Sequence, residues 1–391
     1  MVWRSGLLSA SETFIRGQGL ALTRWRPTFL GAVAVDSPLS ADTDVIAFPG
    51  GGRGWLRLRL TGRSGRLRRL LAAADPAVVH AHFGGDGWLV SRSAAQVGAP
   101  LVVTVHGHDV TRQPNAGGLR GIRYRRNLRT VFRRAALVIA VSAYIRDQAV
   151  ARGADPAKVR VHYTGVSVPP PESAPKLWDV VFVGRFMAKK GADDLVEALA
   201  TLADLRPRVL FIGDGPLEAG IRARAAALHL DATFLGAQEH AVVGRCLAEA
   251  KVFAAPSKTA PDGDAEGLPT TILEASARGV PTVSTRHSGI PEAVVHGETG
   301  LLGAEGDRAA LADGLRLLLT DDALRDRLGR RARADVLDRF DVDKQTRRLE
   351  SLYDEVAIDP VAAAAAPNGR RAAPRVPRPR TPAPPELDPS R

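Results

Sequence analysis

From Trp178 to Thr285, short apolar runs alternate with stretches patterned like amphipathic helices. Trp178–Val183 is apolar and is followed by a helix-like stretch over 192–205. Residues 208–212 form the next apolar run, and Gly213-Asp214-Gly215-Pro216 leads into a helix reaching about 228. The pattern continues with 232–235, a helix around 240–250, an apolar run over 252–255, a helix over 270–278 and a strand over 280–285. Gly279, with Pro281 beyond it, supplies the usual helix stop before that last strand. Strand and helix at this spacing build βαβ units, and hence a parallel sheet covered by helices on both faces. The first part of the chain repeats the theme more loosely, with candidate strands at 77–81, 101–105, 137–141 and 159–162. The fold class that follows is α/β: two Rossmann-like, doubly wound domains facing a cleft. Ligands of such sheets sit at the carboxyl ends of the strands.

The chain divides at the proline-rich stretch around Pro169-Pro170-Pro171. The expected domains are 1–168 and 176–340, with a linker over 169–175 and a C-terminal helix over 341–358. Residues 359–391 hold nine prolines and a run of five alanines, and read as a disordered tail. The 391 residues suit two domains.

Charge separates along the same line. Residues 1–173 contain 24 basic and 10 acidic side chains, net +14, whereas 174–359 contain 24 and 30, net −6. A base-composition bias would act on both parts alike, so the surplus belongs to the first. It is clustered there: Arg57, Arg59, Arg63, Arg66, Arg68 and Arg69 form one group, and Arg120 to Arg134 another. Leu56, Leu58, Leu60, Leu119, Ile122 and Phe132 interleave with them. This is the pattern of a basic amphipathic helix against an anionic membrane surface, or of a solvated helix face. Nucleic acid is not expected, because the clusters hold few stackable aromatics and no binding motif is recognisable. A single cysteine, Cys246, excludes an internal disulfide. No apolar run approaches the length needed to span a bilayer, and no signal peptide is visible. The expected location is cytoplasmic, peripheral on the inner face of the cell membrane.

Three strand ends carry chemistry. Gly184-Arg185 with Lys190-Gly191 places a guanidinium fork, an ammonium and the free amides of a helix start together, a set suited to a diphosphate. Asp262 to Glu274 places Glu266 in a loop and Glu274 in a helix, where two carboxylates can accept from two groups of hydroxyls. The amides of Leu268, Thr270 and Thr271 would face an anion between them. In the first domain, His80-Ala81-His82 and His106-Gly107-His108-Asp109 follow two strands of one sheet. Hydrogen bonding to a sugar or phosphate suits them; a metal site is the alternative, for which the second domain offers no matching ligands.

Together, Gly184-Arg185 with Lys190-Gly191, Gly213-Asp214-Gly215-Pro216, the Glu266/Glu274 pair and Gly289-Ile290-Pro291-Glu292 resemble the retaining GT-B glycosyltransferases of family 4. Residues 262–269 and 284–292, the Ser11-Glu12-Thr13-Phe14-Ile15 segment and the His-Gly-His-Asp run resemble its colanic acid and amylovoran branch, which serves exopolysaccharide synthesis. The resemblance covers about residues 10–357.

It implies a metal-independent transferase moving a hexose from a nucleotide-diphosphate sugar to a lipid-linked or oligosaccharide acceptor, with no cofactor. Arg185 and Lys190 would hold the diphosphate, Glu274 the ribose and Glu266 the donor sugar. Gly184, Gly213, Asp214 and Gly215 would complete the donor site. His106 would reach the sugar from the first domain, with His82, His108 and Asp109 on the acceptor side. The 341–358 helix would cross back onto the first domain. A nucleotide-sugar epimerase of the same fold and a catalytically lapsed donor-binding protein are the alternatives. The family opens with a buried strand, whereas Arg4, Ser5 and Gly6 interrupt the start of this chain. The first strand is therefore expected to be short or missing, and acceptor binding weakened. Residues 25–34 likewise look less regular than a helix–strand pair.

Overall fold

The computed structural model describes residues 1–9, 12–171 and 174–358. Ser11, the linker residues Glu172 and Ser173, and the expected disordered tail over 359–391 lie outside the described residues.

The first domain is built on seven parallel strands: β1 (Val2–Leu7), β2 (Phe29–Ala34), β3 (Val45–Ile46), β4 (Val79–His82), β5 (Leu101–Val105), β6 (Leu137–Ala140) and β7 (Val159–Val161), in the order β3-β2-β1-β4-β5-β6-β7. Its helices are α1 (Thr13–Leu20), α2 (Gly52–Thr61), α3 (Gly65–Ala74), α4 (Gly84–Val97), α5 (Gly118–Arg134) and α6 (Ala143–Ala151). The second domain has six parallel strands: β8 (Trp178–Val183), β9 (Val209–Ile212), β10 (Ala232–Phe234), β11 (Ala250–Ala255), β12 (Thr282–Thr285) and β13 (Gly300–Gly303), in the order β10-β9-β8-β11-β12-β13. Around them lie α7 (Ala192–Ala200), α8 (Glu218–Ala227), α9 (His240–Ala248), α10 (Thr270–Ser276), α11 (Ile290–Ala293), α12 (Arg308–Thr320), α13 (Asp322–Arg339) and α14 (Val342–Ile358). This is the pair of doubly wound domains expected of the GT-B fold, and each strand order reverses beside its first strand, where such sheets open a crevice.

The first strand is neither short nor missing. β1 runs six residues and pairs with β2 on one side and β4 on the other. The residues that break its apolar pattern have compensating partners: Arg4 is paired with Glu12 and Asp86, and the Ser5 amide donates to Asp86 Oδ2 at 2.7 Å. A buried guanidinium is tolerated when its charge is matched in this way. The 25–34 region likewise contains a regular six-residue strand, β2.

Helix α14 packs Leu349, Tyr353 and Val356 against Val78, Val102, Leu137 and Ile139 of the first domain. Its buried Glu350 accepts from the amides of Thr23 at 2.7 Å and Arg24 at 2.6 Å. The chain therefore ends its described part by tying the second domain back onto the first.

Candidate functional site in the interdomain cleft

The donor-side loops are shaped by backbone contact. Gly213 and Gly215 have φ of 134° and 150°, and a Cβ on either would lie 2.1 Å from Gly184 O or 2.7 Å from Phe186 O. Only glycine permits so close an approach of the two loops. Asp214 takes part through its carbonyl, which accepts from Phe186 N at 2.7 Å, while its side chain is exposed. Gly184 lies against Lys190, whose Cδ would be 3.3 Å from an added Cβ. Arg185 is exposed and its side chain makes no hydrogen bond or ion pair with the described residues, leaving its fork free.

Lys190 Nζ lies 3.0 Å from Glu266 Oε1, and Lys189 Nζ 3.2 Å from Asp264 Oδ1. Burial alone would raise the Glu266 carboxyl, but the Lys190 and Lys189 ammoniums and His287 bring it below the usual range. Its backbone is pinned as well. Glu266 N donates to His287 Nε2 at 3.1 Å, so that nitrogen is the acceptor, and Nδ1 donates to Glu305 Oε1 at 2.6 Å. Glu274 stands in α10, and burial pushes its carboxyl up, with His240 and Arg278 partly opposing. Thr270 and Thr271 occupy the first turn of α10, where amides have no intrahelical acceptor, and Leu268 is buried just before it.

Across the cleft, the histidines form a stack. His80 and His82 have ring centroids 4.4 Å apart, and His82 Nδ1 shares a hydrogen bond with His106 Nε2 at 3.0 Å. His80 Nδ1 lies 2.6 Å from the hydroxyl of Tyr353 on α14. Burial, with Arg4 nearby, holds the His106 imidazole down at about 3, and burial with the neighbouring rings and Arg4 lowers His82 well below its usual value. The rings of Phe14 and Phe83 flank His106 at 5.1 and 4.5 Å. Phe83 adopts φ 70° between β4 and α4, a conformation costing about 1–3 kcal/mol for a residue with a side chain. Among the described residues, no group of three or more His, Cys, Asp or Glu is arranged to hold a metal ion.

Two of the residues expected on the acceptor side sit behind this surface. Asp109 is buried, and its oxygens accept from the amides of Gly84 at 2.8 Å and of His106 and Gly107 at 3.0 Å. It fixes the 106–109 turn rather than facing an acceptor, and burial raises its carboxyl despite those three donors. His82 is likewise buried, backing His106. His108 is half-buried with Nε2 3.2 Å from Gln113 Nε2, and burial lowers its imidazole while Asp264 and Asp109 oppose.

The domains meet here. A Cβ on Gly267 would lie 2.0 Å from His106 O, and one on Gly107, at φ 131°, 3.1 Å from Ala265 O. Ser142 Oγ donates to Gly267 O at 3.2 Å, and Ala265 N to Thr111 Oγ1 at 3.3 Å. Glu292 accepts from the amides of Ala143 and Tyr144 at the start of α6, at 2.8 and 3.2 Å, and from Tyr163 OH at 3.1 Å. Glu266 and His106 are thereby brought to the same point of the cleft. Sequence reasoning assigned no role to Lys189, His287, Glu305 or Tyr353. His287 and Lys189 follow strand ends, which was a usable signal; Glu305 and Tyr353 act through contacts that no local pattern announces.

Comparison with known proteins agrees with this geometry. Residues 168–335 match the model of "Glycosyl transferases group 1" and residues 19–168 that of "Glycosyltransferase Family 4". The chain is 31% identical over 298 residues to the amylovoran biosynthesis glycosyltransferase AmsK of Erwinia amylovora, covering 73% of this chain and 71% of that one. It is 29% identical over 323 residues to the putative colanic acid biosynthesis glycosyltransferase WcaL of Salmonella typhimurium, covering 77% and 78%. Among solved structures, Anabaena Alr3699/HepE in complex with UDP-glucose superposes with a TM-score of 0.71 at 21% identity, over 90% of this chain and 99% of that one.

Proposed function

The chain belongs to the group 1 and family 4 glycosyltransferases, and from that premise we propose that it is a retaining enzyme of exopolysaccharide or cell-envelope glycan synthesis, moving a hexose from a nucleotide-diphosphate sugar to a lipid-linked or oligosaccharide acceptor. The observation that carries this reading is the meeting of Lys190 and Glu266 at one point of the cleft opposite His106, with Arg185 in the same loop after β8. The amylovoran and colanic acid relatives support the pathway class, and the UDP-glucose bound by the Anabaena protein supports a nucleotide-sugar donor.

In this mechanism the diphosphate takes the unpaired Arg185 fork and draws Lys190 from Glu266, while the first-turn amides of α10 face it. Glu274 accepts from the ribose hydroxyls, and Glu266, released from Lys190, from those of the sugar. His106, held neutral by desolvation of its ring, contacts the sugar from the first domain. The acceptor hydroxyl attacks the anomeric carbon from the leaving-group face. The bond from that carbon to the phosphate oxygen breaks, the new glycosidic bond forms, and the acceptor proton passes to the departing phosphate oxygen. Arg185 and Lys190 neutralise the developing charge, so this reading requires no divalent metal, and the protein acts by positioning and electrostatics.

The acceptor is met at the inner face of the cell membrane. The basic helices of the first domain support peripheral binding to anionic lipid, and among the described residues no helix is long and apolar enough to cross a membrane. The test is release of nucleoside diphosphate from a panel of sugar nucleotides, with and without a lipid-linked oligosaccharide. Acceptor-dependent release that Arg185→Ala lowers by about 10² or more is expected. Release that ignores the acceptor, or that Arg185→Ala leaves unchanged, overturns the reading.

A further inference from the structure

Helices α2 and α5 leave a groove that the donor-side mechanism does not use. Trp55, Leu56 and Leu60 of α2 face it from one side, Leu119 of α5 from another, and Trp88 of α4 lies within it. The cavity measures about 910 Å³, and an adjoining one of about 1060 Å³ shares Leu60, Trp88 and Leu119 with it. Its apolar side chains are unusually bare: Leu119 is 84% exposed, Leu60 and Ile122 56%, Leu56 54%. Bare apolar side chains gathered along one groove suit an apolar ligand.

The same walls are cationic. Arg59, Arg120 and Arg123 line the first cavity, and the second adds Arg63, Arg126 and Arg129 among others. None of these pairs with a carboxylate among the described residues. Asp86 is the one acid on the first cavity's wall, and it is spent on Arg4 and the Ser5 amide. Arg123 is held in place by donating to the carbonyls of Arg59 and Leu60, with its guanidinium 5.7 Å from the Trp88 ring.

The groove leads to the cleft. Its inner end is formed by Gly84, Gly85 and Tyr124. Gly84 N donates to Asp109 Oδ2 and Tyr124 OH donates to Asp109 O, so this end abuts the turn that carries His106.

We propose that this groove seats an amphiphilic anion: the long apolar chain and phosphate or diphosphate of a lipid-linked acceptor. The chain lies along Leu56, Leu60 and Leu119 with the two tryptophans, and the phosphates are held by Arg59, Arg120 and Arg123. The attached sugar is thereby directed past Gly84 toward His106. This assignment deepens the transferase reading and rests on it for the identity of the occupant as acceptor.

Geranylgeranyl diphosphate serves as the probe, followed by quenching of Trp55 and Trp88 in the intact protein, beside inorganic pyrophosphate, geranylgeraniol and phosphatidylglycerol vesicles. Saturable quenching at least tenfold tighter than with pyrophosphate or the neutral alcohol is expected, and Arg120→Glu and Leu119→Glu should each weaken it tenfold or more. Both residues are exposed, so the variants should melt as the parent does. Equal affinity for pyrophosphate, indifference to both substitutions, or a response to vesicles alone would overturn the seat. Nucleotide-sugar turnover by the parent protein is measured in parallel. Saturable prenyl diphosphate binding without any turnover keeps the seat and removes the transferase reading, and the converse result removes the seat alone.

Discussion

The two domains treat positive charge in opposite ways. In the second, the ammoniums around the site are already matched: Lys190 to Glu266, Lys189 to Asp264, and Lys258 to both Asp193 and Asp194 at 2.7 Å. Arg185 is the exception. In the first, the arginines of α2, α3 and α5 have no carboxylate among the described residues. A net acidic domain can thus bind an anionic donor by exchanging partners, because Lys190 trades a carboxylate for a phosphate at little change in local charge. The arginines of α2, α3 and α5 have no carboxylate to exchange, and their charge is available to something outside the fold. On the proposed reading, net charge alone would point to the wrong domain for the nucleotide.

The largest effect should fall on the exception. Arg185→Ala should lower kcat/KM by about 10²–10³, the usual loss for one charge-stabilising donor, with an unchanged urea midpoint because the side chain is exposed and unpaired. Lys190→Ala should lose comparable activity and also destabilise, since it strands the buried Glu266 carboxylate; adding Glu266→Gln should restore stability and not activity. Initial rates and urea melts on the three variants separate these outcomes. Equal melts for Arg185→Ala and Lys190→Ala would erase the contrast between free and matched cations.

Acid should find the first domain before the second. His80 and His106 are held by burial at about 3, and His82, His108 and His162 are lowered by burial as well. A histidine whose folded value is depressed binds its proton only on unfolding, so its stability contribution is present above about 6.5 and is lost as the pH falls below it. His80 and His106 should each cost about 2 kcal/mol between pH 7 and pH 5. Glu266, depressed in the other sense, keeps its contribution until the pH falls below the ordinary carboxylate range, outside that window. The urea midpoint should therefore drop from pH 7 to 5, with a shallower slope in His80→Gln. A slope that His80→Gln leaves unaltered would mean that the stack is protonated while folded.

What the chain disclosed beforehand follows the same division. β8 was legible to the residue because its apolar run ends cleanly at Gly184, and the Gly213/Gly215 loop because glycine marks a close approach. β1 was not, because Arg4 and Ser5 interrupt its run and the partner that excuses them, Asp86, stands some 80 positions away. Asp109 was assigned to the acceptor for lack of any sequence sign that three amides would converge on it. Local pattern reports strand ends and tight turns. It cannot report a charge compensated from a distant element, as Arg4 is by Asp86.

The link between the domains should give a smaller effect. Glu292→Ala removes the acceptor for the first amides of α6 and for Tyr163 OH, and losses of such caps cost about 0.5–2 kcal/mol. Because the bond spans the cleft, donor KM should rise a few-fold, and small-angle scattering should show a wider particle with donor bound. A variant whose stability falls while its scattering and KM stay fixed would confine Glu292 to local capping.

The smallest effect tests the unmatched arginines one at a time. Basic residues near an anionic membrane contribute about 1 kcal/mol each, roughly a fivefold change in partition. Arg129→Gln, on the exposed face of α5, should lower flotation with phosphatidylglycerol vesicles by about that factor. Arg224→Gln, in the second domain and paired with Glu197 at 2.6 Å, changes the net charge equally and should leave flotation as it was. Raising the salt from 0.05 to 0.5 M should shrink the first difference, since the attraction acts within a Debye length. Equal losses for the two variants would show that total charge, rather than its unpaired cluster on α5, governs adsorption.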